Sequence, residues 1–490
     1  MWKQLEPSAP HLTYLILSAF LVAYALFSSF IRNRLHLSEP PLATLVGIAF
    51  GPKGVGILDP KRWGLGDDIV MEFTRLILGI QCFAVGLELP KQYMRKAYPS
   101  LLILLGPVMA SSWVICALIV HFMFHTDWPT SLIIAACLTP TDPVLAASVL
   151  ANSQFSTRVP ARLRHLLSAE SGCNDGIAFP FLYFGLSILT RATLGATLKK
   201  WVLITILWQC LLGTILGSIT GYAFNRLLRY CDSKNYVGRA SYLVFYLLLS
   251  IFSVGVASTL GVDDFLYTFS AGATFSSDGW FRRKTSSSNL ANVIDLLLNS
   301  TMFVYFGTII PWSKFTLSWP NVPITITPWR LFFALILILL FRRIPAVLLL
   351  KKTIPAMKTY REAVFCGHFG PMGVGALFLS LESRAQLETD RSEVLPHPPP
   401  YTPEPPGNQI PELIGRNQRA VEMIWPMICF FVLGSVMVHG LSTLIVSVGI
   451  HVRRPHGERA PLIGGETEGI GGMVFSSDEI ASGDDEGSDD

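Results

Sequence analysis

The chain has 490 residues, of which 51% are hydrophobic and 15% are charged, with a formal net charge of +4 and a mean hydropathy of +0.46. Soluble domains usually carry about 25% charged residues. Here the charges cluster between apolar runs of about 20 residues, the length that crosses a bilayer. This distribution excludes a large soluble enzyme and predicts an all-α polytopic membrane protein. The basic excess lies mostly in short loops, as orientation signals do, so we expect no nucleic-acid partner. We also expect no cofactor.

Thirteen apolar segments are long enough to be membrane spans, at residues 11–31, 40–58, 69–89, 99–121, 130–151, 165–190, 201–225, 241–260, 263–280, 289–311, 329–350, 360–383 and 419–449. The short loops after spans 1, 3, 5, 7, 9 and 11 hold nineteen Lys and Arg residues, and those after spans 2, 4, 6, 8 and 10 hold eight. Basic loops stay in the cytosol. We therefore expect the N-terminus outside and the C-terminal tail inside.

The predicted transmembrane domain covers residues 1–454 and includes a proline-rich loop at 384–418 on the outer side. Residues 455–490 hold ten acidic residues against one basic residue, a net charge of −9. This tail is predicted to be a disordered cytosolic segment. Serines that precede its acidic residues suit an acidophilic kinase, and a solvated tail without a regulatory role is the alternative.

Two predicted spans are interrupted at their middle. Span 5 contains Thr139-Pro140-Thr141-Asp142-Pro143, and span 12 contains the glycine- and proline-rich segment 367–373. Proline removes a backbone donor and glycine loosens the chain, so both helices should unwind there. Corresponding breaks in the two halves of a transporter indicate its binding site.

Span 6 carries the first candidate for chemistry, Asp175, in AESGCNDGIAFPFLYFG. A carboxylate in hydrocarbon is costly and marks an ion or proton path. Removed from water, it is stabilised by either a proton or a cation, and binding one displaces the other. Asn174, Ser171 and Glu170 are possible polar neighbours. A structural role, in which Ser or Asn partners cap Asp175, is the alternative.

Span 5 supplies a second candidate, Asp142, together with the hydroxyl of Thr141 and the carbonyl groups that unwinding exposes. Such oxygen ligands suit hard alkali cations. A half-helix C-terminus also favours a cation. Asp142 therefore either ligates the ion or caps the N-terminus of a half-helix, and the pattern leaves both roles open.

Three further sets of residues have two interpretations each. Asp263 and Asp264 form either a solvated loop pair or the lining of an outer funnel that concentrates cations. Arg342 and Arg343 interrupt span 11. We expect at least one of them to be buried and paired with an acid or with carbonyl groups of a broken helix. The alternative is that the side chains extend to the membrane surface. His368 in the second break is either pH-sensitive or a packed neutral histidine.

These residues together resemble the cation/proton antiporter superfamily, and specifically the fungal plasma-membrane alkali-metal-cation/proton antiporters. The resemblance covers about residues 1–450. It is carried by TDPVLAAS (141–148), LLSAESGCNDG (166–176), GVDDFL (261–266), YFGTIIPW (305–312), FRRIPAV (341–347), GHFGPMGVGA (367–376) and IWPMICFFVLGSVMVHG (424–440).

The resemblance implies thirteen spans, two inverted six-helix repeats with broken crossing helices, a homodimer and elevator-like movement of a core domain. It implies that Asp175 binds the cation and the proton alternately, with Asp142 and Thr141 at the crossing as Na+ or Li+ ligands. Related animal exchangers carry an arginine within the second break and a glutamate in span 10, where this chain has GPMGVG and Asn299-Ser300. The buried ion pair between them is therefore absent, and Arg342 or Arg343 is the substitute candidate.

The sequence thus predicts a secondary antiporter that moves Na+ or Li+, with K+ as a further candidate, against protons at the plasma membrane. A cation channel or uniporter is the alternative, but no TVGYG-like filter occurs. An intramembrane aspartyl protease needs a Tyr-Asp pair, and none occurs, nor does a phosphate-binding loop of an ATP-driven pump. We therefore expect a transporter rather than an enzyme.

Overall fold

The computed structural model describes residues 8–35, 37–143, 145–146, 159–190, 193–285, 290–319, 323–395 and 411–453. Its first half contains α1 (Ala9–Asn33), α2 (Glu39–Phe50), α3 (Asp67–Glu88), α4 (Tyr93–Phe124), α5 (Trp128–Cys137), α6 (Ala161–Thr190), α7 (Leu194–Ser233) and α8 (Arg239–Leu260). The second half contains α9 (Asp264–Phe275), α10 (Trp280–Thr285), α11 (Leu290–Ile309), α12 (Pro328–Phe341), α13 (Ile344–Leu350), α14 (Tyr360–His368), α15 (Val374–Thr389) and α16 (Pro411–Arg453). One antiparallel pair of two-residue strands, β1 (Leu317–Ser318) and β2 (Thr325–Ile326), joins α11 to α12.

Local sequence explains several helix boundaries. The side chain of Asp127 accepts a hydrogen bond from the backbone of Thr130 at the start of α5. Thr359 and Glu362 form a reciprocal capping box at the start of α14. Within α4, Pro107 lies in a π-helical turn over Leu104–Val108, because proline cannot continue the regular ladder of hydrogen bonds.

Six helical segments among the described residues are long and apolar enough to cross a membrane, namely Pro10–Arg32, Asp67–Glu88, Tyr93–Phe124, Leu194–Ser233, Pro328–Thr353 and Asn417–Ser442. They bear out the prediction of a multi-pass membrane protein. The full set of thirteen spans stays a prediction.

Three predicted boundaries were wrong. The second span is shorter than 40–58, because α2 ends at Phe50, just before a glycine-rich segment. The predicted outer loop at 384–418 is also shorter, because α15 continues to Thr389 and α16 begins at Pro411. Span 7 is longer than 201–225, since α7 covers Leu194–Ser233. Residues 396–410 and the predicted acidic tail at 455–490 lie outside the described residues.

The helices pack in two groups that meet beside Asp175. In the first group, α9 packs against α3, α7 and α8, and α2 packs against α11. In the second group, α5 packs against α4 and α6, and α15 packs against α16. The groups contact each other where α6 and α15 pack against α3, where α6 packs against α7 and α9, and where α2 packs against α16. We call this boundary the α3–α6 interface.

Candidate functional site

The two interrupted helices meet at their breaks. The chain is irregular between the end of α5 at Cys137 and Asp142, and again between His368 and Val374. The backbone N–H of Asp142 donates a hydrogen bond to the carbonyl of Pro371 at 2.8 Å. Both predicted breaks are therefore confirmed, and the two unwound segments lie against each other.

The carboxylate of Asp142 caps two half-helices at once. Oδ1 accepts a hydrogen bond from the backbone N–H of Leu145 at 2.8 Å, and Oδ2 accepts one from Val374 at 3.1 Å. A Cβ atom at Gly373 would lie 2.0 Å from Oδ2, so only glycine allows this approach. Of the two roles left open for Asp142, the geometry supports the cap, and ligation of a cation stays a prediction.

Arg342 meets the opposite ends of the broken helices. It is 3% exposed and donates hydrogen bonds to the carbonyl groups of Leu138 and Gly370. A helix N-terminus favours a negative charge and a C-terminus favours a positive one. Asp142 therefore compensates the N-terminus of α15 and the backbone N–H of Leu145, and Arg342 compensates carbonyl groups that end α5 and follow α14.

Arg343 forms a buried ion pair with Glu170. Its Nη1 lies 2.6 Å from Oε1 of Glu170 and its Nη2 lies 3.1 Å from Oε2, while Nη2 also donates to the carbonyl of Cys366. The expectation that one of the two arginines is buried and paired is confirmed, and the snorkelling alternative was wrong for both. Glu170 was expected to be a polar neighbour of Asn174. It instead supplies the acidic partner in the substitute ion pair.

Asn174 and Ser171 fix the first break to α6. The amide of Asn174 accepts a hydrogen bond from the backbone N–H of Thr141 at 3.3 Å and donates one to Oγ1 of Thr141 at 2.7 Å. The hydroxyls of Thr141 and Ser171 lie 2.8 Å apart. The structure therefore brings these three predicted residues together, with Asn174 ordering Thr141.

Asp175 differs from every other buried carboxylate of the described residues. It is 2% exposed, and neither carboxylate oxygen has a hydrogen-bond partner within the described chain. A Cβ atom at Gly375 would lie 2.1 Å from Oδ1, so the glycine lets α15 approach the carboxylate. A buried carboxylate without protein donors must be stabilised by a proton or a cation. Asp175 is therefore the buried carboxylate at the crossing without a described donor, and its binding of a proton or a cation stays a prediction.

Asp263 and Asp264 are buried, so their interpretation as a solvated loop pair was wrong. Asp263 caps α9 by accepting hydrogen bonds from Phe265 and Leu266, both at 2.9 Å. Asp264 pairs with Arg75 of α3 at 2.8 Å and also accepts a hydrogen bond from Ser258. A Cβ atom at Gly176 of α6 would lie 2.7 Å from Oδ1 of Asp263, which places Asp263 at the α3–α6 interface. Attraction of cations by the two acids stays a prediction.

The boundary between the two groups is closed on one side of Asp175. Phe179, one turn after Asp175, lies in a cluster with Phe265 and Phe378 whose ring centroids are 5.0–6.3 Å apart. The guanidinium of Arg75 lies over Phe378 as well as beside Asp264. Together the rings and the ion pair seal this side.

A cavity of about 370 Å³ lies on the other side of the site. Its wall is formed by the loop after α3, by α7 and α9, and by Cys173, two residues before Asp175. The segment 89–95 at its rim contains Lys91 and Arg95, which belong to a predicted cytosolic loop. The cavity therefore lies towards the predicted cytosolic side and extends to Cys173, two residues before Asp175.

The prediction for His368 remains divided between its two interpretations. Its Nε2 lies 3.3 Å from the hydroxyl of Ser442, and its carbonyl lies 3.0 Å from Nε2 of His439 in α16. These contacts tie the second break to α16 and do not reach Asp175. They fit a packed histidine, and a pH-sensitive role stays a prediction.

The sequence did not identify four buried charged residues, of which Arg75 and Glu382 lie inside predicted spans and Glu39 and Arg384 lie just outside them. Arg75 is a single cation inside span 3, and Glu382 lies near the end of span 12. Glu382 accepts hydrogen bonds from Tyr183 at 2.8 Å and Ser392 at 2.7 Å. The position of Arg75 and Glu382 inside apolar spans was the signal that could have identified these two.

Several proteins that are similar to this chain in sequence are all named Na(+)/H(+) antiporters. A Na(+)/H(+) antiporter of Saccharomyces cerevisiae is 42% identical over 92% of this chain, which covers 45% of that protein. Na(+)/H(+) antiporter 2 of Zygosaccharomyces rouxii is 42% identical over 91% of this chain, which covers 54% of it. This chain thus spans about half the length of these two relatives. A Na(+)/H(+) antiporter of Schizosaccharomyces pombe is 34% identical, with 91% and 92% of the two chains covered.

The fold has a solved counterpart. The sodium proton antiporter MjNhaP1 from Methanocaldococcus jannaschii superposes with a TM-score of 0.60 and 16% identity, over 88% of this chain and 98% of that one. At this identity the likeness establishes the sodium/proton antiporter fold. The model of the family described as sodium/hydrogen exchanger, transmembrane, matches residues 16–448. The chain therefore belongs to the sodium/hydrogen exchanger family.

Proposed function

We propose that this protein is a secondary antiporter that exchanges Na+ or Li+ for protons at Asp175, with K+ as a further candidate substrate. The fungal relatives are named Na(+)/H(+) antiporters, which supports Na+ and H+ as the exchanged ions. The observation that carries the proposal is the carboxylate of Asp175, which is buried at the crossing with neither oxygen bonded to a described donor.

The charges around Asp175 explain why this one acid would carry the exchange. Asp142 is compensated by two helix N-termini, and Glu170 by Arg343. Asp264 is compensated by Arg75. The charge of each of these acids is therefore compensated by a contact that stabilises the fold. Asp175 lacks such a contact among the described residues, and one carboxylate binds one positive charge at a time, so cation and proton compete for it.

Competition becomes exchange when the site opens to one side at a time. The cavity beside Cys173 supports access from the predicted cytosolic side, while the phenylalanine cluster and Arg75–Asp264 close the other side. Movement of the second helix group against the first would separate Phe265 from Phe179 and Phe378, and would also separate Arg75 from Phe378. The closed side would then open. Binding of either ion neutralises Asp175, and this lowers the free-energy cost of moving the buried carboxylate during that step.

We place the protein in the plasma membrane, with the N-terminus outside and the acidic tail in the cytosol. The asymmetry of Lys and Arg between the loops supports this orientation. A proton gradient directed inward would then drive cation extrusion, which would serve salt tolerance and pH homeostasis.

We further propose a homodimer in contact with lipids. α1 and α7 expose large apolar side chains, among them Leu26 at 74% and Ile219 at 58% exposure. Such faces suit lipid or a second copy of the chain. A kinase that phosphorylates serines of the acidic tail is proposed as a further partner, on the basis of the tail sequence alone.

The test is proton movement in proteoliposomes loaded with a pH-sensitive dye. Addition of Na+, Li+ or K+ to the wild type should move protons and rank the three cations. Asp175→Asn should abolish this response while the protein still folds, because asparagine cannot carry a proton. Asp278→Asn is the control, since Asp278 lies in an exposed ion pair with Arg229 and should leave exchange unchanged.

The same assay separates exchange from the channel alternative. Cation uptake without proton movement in the wild type would indicate a channel or uniporter and would refute the proposal. Persistence of exchange in Asp175→Asn would retain the activity but remove Asp175 from its site.

A further inference from the structure

A second polar group at the α3–α6 interface has no partner within the described chain. Gln81 lies in the middle of α3 and is 0% exposed, and neither its amide oxygen nor its amide nitrogen forms a hydrogen bond with a described residue. An unbonded buried amide destabilises a protein. Because methionine or leucine would fill this space without that cost, the amide indicates a ligand.

The direction of the helices determines what Gln81 faces. A Cβ at Gly79 would contact Thr268 and one at Gly86 would contact Phe269 and Ala273, so α3 and α9 run parallel. A Cβ at Gly172 would contact Phe269 and one at Gly176 would contact Leu266, so α6 runs antiparallel to α9. It follows that α3 and α6 are antiparallel neighbours.

One close contact then sets the level of Gln81 along α6. A Cβ at Gly172 would lie 2.9 Å from Cγ1 of Val85, so Val85 points towards α6. Gln81 lies four residues before Val85, on the same face of α3. Asp175 lies three residues after Gly172. Because α3 and α6 are antiparallel, four residues back along α3 and three residues forward along α6 lead in the same direction by a similar distance. Gln81 therefore lies at the same height along the helix pair as Asp175.

The middle of α3 therefore lies beside Asp175, at the α3–α6 interface. Gln81 is the polar side chain that this part of α3 presents on the face shared with Val85.

We propose that Gln81 completes the Asp175 site from the first helix group, with its amide oxygen as a neutral ligand for the monovalent cation. A neutral oxygen replaces part of the hydration shell of the ion without a second negative charge, which suits exchange of one cation for one proton. This inference rests on the proposed antiport activity. It makes Gln81 a determinant of cation affinity and selectivity, since α3 supplies the wall opposite the crossing.

Gln81→Met tests this role, because methionine has a similar volume and removes only the polar atoms. We expect the KM for Na+ and Li+ to rise about tenfold, the factor for one lost interaction with a charged group. The thermal stability of the purified protein should stay equal or increase. Stabilisation of the protein by added Na+ should shrink, because ligand binding and stability are linked.

Thr74→Val is the matched control. Thr74 is also fully buried in α3, but its hydroxyl is bonded to backbone carbonyls of its own helix, at Val70 and Met71. Its substitution should leave the KM unchanged. A KM in Gln81→Met within twofold of wild type, with unchanged Na+ stabilisation, would overturn the inference about Gln81 alone. Absence of proton-coupled exchange in the wild type would instead refute the proposed function.

Discussion

The buried ion pair between Glu170 and Arg343 makes a quantitative prediction about stability. The two side chains are 2% and 6% exposed and form two hydrogen bonds, at 2.6 and 3.1 Å. Removal of one partner leaves a buried charge without compensation, at a cost of about 3–5 kcal/mol. Glu170→Met and Arg343→Met should therefore each raise the unfolding equilibrium constant by roughly two to four powers of ten.

The double variant should be far more stable than the sum of the single changes predicts. Glu170→Met combined with Arg343→Met removes both charges and retains the side-chain volume, which is often close to neutral. We expect a coupling energy of about 3 kcal/mol or more between the two positions. Arg343→Lys should fall between wild type and Arg343→Met, because lysine keeps the charge and loses the bidentate geometry.

Reversible unfolding of the purified protein in mixed micelles, followed by tryptophan fluorescence, measures these free energies. The exposed pair Arg229–Asp278 is the control, with side chains 42% and 34% exposed. Substitutions there should cost at most about 1 kcal/mol. Additive effects at Glu170 and Arg343, or single effects as small as those at the control pair, would refute the assignment of a structural ion pair.

Three further predictions concern the crossing and its closure. Gly375→Ala should raise the KM for the cation roughly 10–100-fold, because the new Cβ would lie 2.1 Å from the carboxylate of Asp175 and displace it. Unchanged uptake kinetics in vesicles would contradict this. Asp142→Asn should lower stability by about 1.5–3 kcal/mol, the value of hydrogen bonds to a charged group, and thermal unfolding in detergent measures it. Arg75→Met and Asp264→Asn should each slow exchange, and the double variant should be no slower than the worse single one, since the pair acts as one unit.

The sequence located the crossing because its determinants are local. Proline and glycine at 140, 143, 370, 371 and 373 mark where helical hydrogen bonding fails, whatever the surroundings. Asp175 was identifiable because an acid in an apolar run has few explanations other than function. The resemblance of the flanking motifs then indicated the family, which the comparisons confirm.

Partnerships between distant segments could not be predicted in the same way. The pairing of Glu170 with Arg343 joins residues 173 positions apart, and that of Arg75 with Asp264 joins residues 189 positions apart. Neither pairing leaves a periodic signal in one sequence. Gln81 was missed because a single amide in an apolar span is common, and only its complete burial without a described partner draws attention to it. The length of α15 was underestimated because its last turns carry the polar residues SRAQLET, which resemble a loop.

The most direct test of the account is the release of protons when Na+ is added to the purified, weakly buffered protein. If one carboxylate binds both ions, the wild type should release about one proton for each cation bound, and release should diminish once the pH is high enough to deprotonate the site beforehand. Asp175→Asn should release none. Equal proton release from Asp175→Asn and wild type would contradict the claim that this carboxylate is the shared binding site.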